Sequence, residues 1–222
     1  MHLPRRFKLL CQCWLAASAA AIVMTATGGL PCWAHAHTHA QPPAGTPGSS
    51  YSSTAPGQCR IIASGNGVDD STVRICPGKT GWQVLVSEDD LRETVSVGRN
   101  RIWAEKEPAA HTWFGPFGSA STTVEWREQN GRPFAIIQRW QLDDNADQDE
   151  SGRPRPKAML VVTRLPPGPV CHVAYVDVAA NAGAEELARK AADEIARDFH
   201  CGSDAVKLVG ASGRATELAL GR

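Results

Sequence analysis

The sequence predicts an α+β domain: an antiparallel β-sheet, a meander, packed against one long C-terminal helix and pinned by two disulfides. Three observations predict it. Seven runs rich in β-branched and aromatic residues, most of them separated by turn residues, read as strands. Leu187, Ala188, Ala191, Ile195 and Phe199 recur at helical spacing in one later segment. Four cysteines, Cys59, Cys76, Cys171 and Cys201, remain beyond an N-terminal stretch with the layout of an export signal, and an even count there reads as a disulfide framework.

Residues 1–36 are expected to be a cleaved signal peptide. Arg5, Arg6 and Lys8 stand without an acid, an apolar run covers residues 9–23, and Ala34-x-Ala36 supplies a cleavage site. The apolar run is shorter than the ~20 residues a spanning helix needs, and charges interrupt every later one. The mature chain is therefore expected to lack a membrane span and to be periplasmic or secreted. The whole chain holds 23 basic and 23 acidic residues; losing the signal removes three of the former and none of the latter. A slightly acidic body argues against nucleic acid as a partner.

Residues 37–57 are nearly all Pro, Gly, Ser, Thr, Ala and His, so they predict a disordered leader with nothing to bury. Residues 58–210 predict one domain, and 211–222 a loosely ordered tail. Within the domain, runs 82–87, 93–97 and 100–105 open the sheet, with Ser87 and the acids behind it reading as one capped helical turn. Runs 121–128, 133–142, 158–165 and 170–178 continue it. Asn130-Gly131 predicts a two-residue hairpin that pairs Trp126 with Ala135 and Val124 with Ile137, leaving Phe134, Ile136 and Trp140 on the opposite face. Pro166-Pro167-Gly168 turns the next pair. Asn181 is the expected cap of the long helix, Glu185 and Glu186 suit its first turn, and Gly202 suits its end. A helix running back along the sheet returns Cys201 to Cys171. A turn-rich segment brings Cys59 to Cys76. The predicted disulfides are Cys59–Cys76 and Cys171–Cys201.

Three segments carry chemistry. Cleavage after Ala36 would leave His37-Thr38-His39 at the N-terminus, where an amine, two backbone amides and an imidazole form a square-planar nitrogen set suited to Cu(II) or Ni(II). The Ala34-His35-Ala36-His37 junction resembles the mature starts of periplasmic copper-binding proteins and of copper oxygenases with an N-terminal histidine brace. That resemblance spans a handful of residues and implies copper as the cofactor of His37 and His39. Asp143, Asn145, Asp147 and Asp149 alternate like the start of a calcium loop, but Gln148 and Pro154 stand where an EF-hand needs Gly and Glu. The same acids read as a solvated hairpin loop. His111, Trp113, Phe114 and Phe117 form an aromatic loop among glycines, fit either to contact a ligand or to cover the sheet.

No nucleophile elbow, zinc-protease, phosphate-loop or dinucleotide motif is present. Cys171 and His172 adjoin, but neighbours on a strand face opposite sides. The expected function is a non-catalytic envelope module binding a protein, a glycan or a small ligand. The alternatives are a copper- or nickel-binding periplasmic protein using His37 and His39, and a periplasmic hydrolase built on acids such as Glu88, Asp89 and Asp90.

Overall fold

The structure is a computed structural model that describes residues 45–65 and 71–221. His37 and His39 lie outside the described residues. Ten strands form one mixed sheet: β1 (Gly48–Ser53), β2 (Arg60–Ser64), β3 (Thr72–Pro77), β4 (Gln83–Asp89), β5 (Arg92–Gly98), β6 (Gly118–Gln129), β7 (Arg132–Gln148), β8 (Pro154–Arg164), β9 (His172–Asp177) and β10 (Lys207–Leu208). The order runs β10-β9-β8-β7-β6-β5-β4-β3-β2, with β1 also paired to β6. Among the described residues three short helices accompany it: α1 (Arg101–Lys106), α2 (Ala184–Ile195) and α3 (Arg214–Ala219).

This corrects the expected α+β class. The molecule is a ten-stranded mixed sheet, not a meander on one long C-terminal helix. Two pairings are parallel, β9 with β10 and a single β5–β6 bridge at Arg92 and Gly118. The reason lies in what each face buries. The largest core joins Val84, Val86, Val95 and Val97 of β4 and β5 to Val124, Trp126, Ile136, Trp140, Met159 and Val161 of β6–β8, so strand faces bury one another. The helix α2 inserts only Ala184, Ala188, Ala191 and Ala192 fully, a small-residue face that covers the far side of β7–β9. A third cluster, Ile75 and Leu85 under Ala104 of α1, covers part of the far side of β3 and β4.

Several local expectations are also overturned. The run 100–105 is helical rather than extended, because the Asn100 side chain accepts a hydrogen bond from Trp103 N at 3.0 Å and so caps α1. The acids after Ser87 do not start a helical turn: Asp90 and Leu91 both take positive φ, at 48° and 60°, and close the β4–β5 hairpin. The Asn130-Gly131 turn does join β6 to β7, but Phe134 is an extra residue in β7, so Trp126 faces Ile136, Arg127 faces Ala135 and Val124 faces Gln138. Phe134 consequently joins Ala135 and Ile137 on the α2 side, while Trp126 and Val124 join Ile136 and Trp140 in the main core.

The leader expectation fails over its described part. Residues 48–53 pair with β6 from Ser53 opposite Thr123 to Gly48 opposite Glu128. Hydroxyls replace apolar anchors. Ser49 Oγ donates to Glu125 and accepts from Arg127 Nη1 at 2.5 Å, Ser50 Oγ donates to Glu128 at 2.8 Å, and Trp126 Nε1 donates to Ser52 Oγ at 2.8 Å. The tail is likewise bound. Asp177, buried on β9, accepts from Ala215 N at 2.9 Å and Thr216 N at 3.3 Å, which satisfies the start of α3. Asn181 is not the α2 cap, which is Gly183; its side chain donates to Asp177 O and Ala211 O and accepts from Ala211 N, each at 2.8 Å. Sulfur bridges join Cys59 to Cys76 and Cys171 to Cys201.

Candidate functional site

The aromatic loop divides its residues. Phe114 is only 4% exposed and packs edge-on against Trp140 at 5.0 Å and Tyr175 at 5.5 Å, with its ring stacked on His172 at 5.7 Å. Phe117 lies under the Arg92 guanidinium at 4.8 Å. His111 ends a 3-10 turn (Pro108–His111) and is exposed. Trp113 is 63% exposed. The sequence leaves these four fit either to contact a ligand or to cover the sheet; the structure makes Phe114 a core plug, Phe117 a stacking base and Trp113 the residue turned to solvent.

Beside Trp113 lies a groove of about 420 Å³, lined by Ser87, Asp89 and Thr94 from the β4–β5 hairpin and by Ala110, Trp113 and Gly115 from the loop. Asp90 and Arg92 complete its rim. Alternation along the hairpin explains the lining. Val86 and Val95 face each other into the main core, so the next pair, Ser87 and Thr94, faces the other way. Arg92 fastens the loop to the hairpin: its Nε donates to Gly115 O at 3.1 Å, its Nη1 donates to Asp90 O at 3.1 Å, and it pairs with the Asp90 carboxylate. Asp89 is exposed and has no ion-pair partner among the described residues.

The sequence pointed at Trp113, read Ser87 only as a helix cap, and passed over Arg92 and Thr94. Asp89 and Asp90 drew notice only as generic acids. The available signal was the alternation of Val84, Val86, Ser87 and Asp89 with a two-residue turn at Asp90-Leu91, which only a hairpin reading would convert into a shared face.

The calcium-like segment is differently used. Asp143 to Gln148 continue β7, and the turn falls at Asp149–Gly152. Asp144 receives Arg214 Nε at 2.8 Å and Nη2 at 2.9 Å, and the guanidinium holds its carboxyl down at about 2. Asp147 pairs with Lys157 and with Arg155, and Asp149 accepts from Ser151 and Arg153; these donors lower both carboxyls. Asn145 is exposed. The carboxylates of Asp144, Asp147 and Asp149 thus point into separate ion pairs, and among the described residues no group of three or more His, Cys, Asp or Glu is placed to hold a metal.

Cys171 and His172 face opposite sides, the sulfur to Cys201 and the imidazole into the main core. An extra residue at Val173 puts His172 and Tyr175 on one face, with Nδ1 3.0 Å from the hydroxyl. Burial lowers the imidazole to about 4 and raises the phenol above its ordinary value. Both side chains are buried against Phe114, and neither lines the groove.

Among the described residues no helix is long and apolar enough to cross a membrane. Comparison with protein-family models, with curated proteins and with solved structures finds no match.

Proposed function

We propose that this chain is an exported, non-catalytic envelope module that binds its ligand in the groove beside Trp113. The observation that carries the reading is an exposed indole on an immobilised loop. Phe114 plugs the core behind Trp113, and Arg92 ties Gly115 and Phe117 to the hairpin in front. A flat apolar ring held in place before binding loses little freedom when a ligand arrives, which favours affinity. The signal-like residues 1–36 and the two disulfides support an oxidising compartment outside the cytoplasm.

The test compares the mature chain with Trp113→Ala and with Trp103→Ala. Trp103 is a second exposed indole, 60% exposed on α1, and does not line the groove. All three are immobilised and challenged with envelope extract. Retention of a discrete species by the wild type and Trp103→Ala, and not by Trp113→Ala, supports the reading. Equal retention by all three would sink it.

A further inference from the structure

Resting on that reading, we infer that the groove takes a neutral oligosaccharide, with a sugar ring laid on Trp113 and its hydroxyls hydrogen-bonded to Asp89, Ser87 and Thr94. The lining selects this class. Asp90 and Arg92 offset one another, so Asp89 is the one uncompensated charge of the rim. An anionic ligand would meet that carboxylate. A lone exposed carboxylate is well screened by solvent, so it holds a cation weakly and is a ready acceptor for a hydroxyl.

A saccharide's polar groups are matched as well. Ser87 and Thr94 are directly opposed across the hairpin, and neither hydroxyl is taken up by another described residue. Each can donate and accept, whereas Asp89 only accepts. Closely spaced groups that both donate and accept, beside one aromatic face, complement a ring with an apolar C–H face and a rim of hydroxyls.

A second hollow adjoins the groove. Gly115 lines both, and the second, about 440 Å³, is bounded by Pro116, Asn145, Leu218 and Gly221, by Asp143, and by the paired Asp144 and Arg214. A Cβ added at Gly115 would meet nothing within 4 Å, so a side chain placed there would project into open space. An elongated ligand can lie across Gly115 and occupy both hollows. A chain of sugars suits that path better than a single ring.

The experiment is isothermal titration of the mature protein with chitohexaose, cellohexaose and maltohexaose, with the matching disaccharides, and with hexalysine. Each is run at low and high salt, on wild type, Trp113→Ala, Asp89→Asn, Gly115→Leu and Trp103→Ala, after circular dichroism shows each variant folded. The expected result is saturable binding of at least one hexasaccharide, indifferent to salt because no charge is neutralised. Trp113→Ala and Asp89→Asn should each weaken it by about tenfold or more, and Trp103→Ala should not. Gly115→Leu should weaken the hexasaccharide and spare the disaccharide, a split that a general loss of folding would not produce. Salt-sensitive binding of hexalysine through Trp113, with no saccharide bound, would leave the groove reading standing and overturn the sugar. Saccharide binding unaffected by Trp113→Ala, or no binding of any saccharide, would overturn the sugar, while the groove reading itself stands or falls with Trp113-dependent retention from extract.

Discussion

Arg214 grips Asp144 with two parallel hydrogen bonds, Nε to Oδ2 at 2.8 Å and Nη2 to Oδ1 at 2.9 Å, and so ties α3 to the far end of β7. The carboxyl titrates at about 2 instead of its usual 3.8. A depressed carboxyl stabilises the fold above the unfolded value, and that contribution fades as pH falls through the folded one. Asp144→Asn should therefore lower Tm at neutral pH. Its deficit against wild type should shrink between 3.8 and about 2. A deficit unchanged across that window in thermal melts would refute the assignment.

His172 carries the opposite kind of pH dependence. Its imidazole is buried neutral with its value lowered to about 4 from 6.5, so the unfolded chain takes up a proton first as pH falls. This group alone should cost about 2 kcal/mol of stability between about pH 7 and pH 5. The loss is absent above the unfolded value and complete below the folded one. His172→Phe keeps an aromatic ring against Phe114 and removes the titration. Urea unfolding at both pH values should show the wild type losing that increment and the variant not losing it.

Phe114 and Trp113 are neighbours with opposite accounts. Phe114→Ala should destabilise by about 3–5 kcal/mol because it empties a site between Trp140, Tyr175 and His172. Trp113→Ala should change stability by about 0.5 kcal/mol or less. Denaturant midpoints for the two proteins check this directly, and similar losses would contradict the division of the loop.

The Cys171–Cys201 bridge closes a loop with a sequence separation of 30. By chain entropy it should contribute about 3–4 kcal/mol. Replacing both cysteines by serine should lower the urea midpoint accordingly and free the chain after α2, as seen by faster amide exchange at residues 196–201. Exchange unchanged there would argue that the segment is held without the bridge by Arg164 of β8, whose guanidinium donates to Phe199 O.

What the sequence revealed follows what local chemistry encodes. Asn130-Gly131 announces a turn because both positions tolerate positive φ, and the turn is there. The extra residue at Phe134 is not announced. It answers the packing of β7 against two faces at once, so the inferred partners shift by one. The stripe of Leu187, Ala188, Ala191, Ile195 and Phe199 is legible, but that only alanines of α2 are fully buried and how little of the sheet they cover is not, because that depends on where β2–β5 fold. At the site, the order of Trp113, Phe114 and Phe117 says nothing about which ring faces solvent. The choice is made by Trp140, Tyr175 and Arg92, which arrive from distant strands. The alternating acids after Asp143 mimic a cation loop until Arg214, Lys157 and Arg155 are seen to reach them.

The strand Gly48–Ser53 brings no fully buried side chain to the core, yet it occupies the flank of β6 from Thr123 to Glu128. A chain shortened to begin at Gln58 would retain all four bridged cysteines and leave that flank a row of unsatisfied amides and carbonyls beside Glu125 and Arg127. Such an edge is a template for another molecule's strand. Six residues of glycine, serine and tyrosine thus serve as a guard against self-association. A cleavage beyond Ser53 would expose the β6 flank to pairing with a second chain.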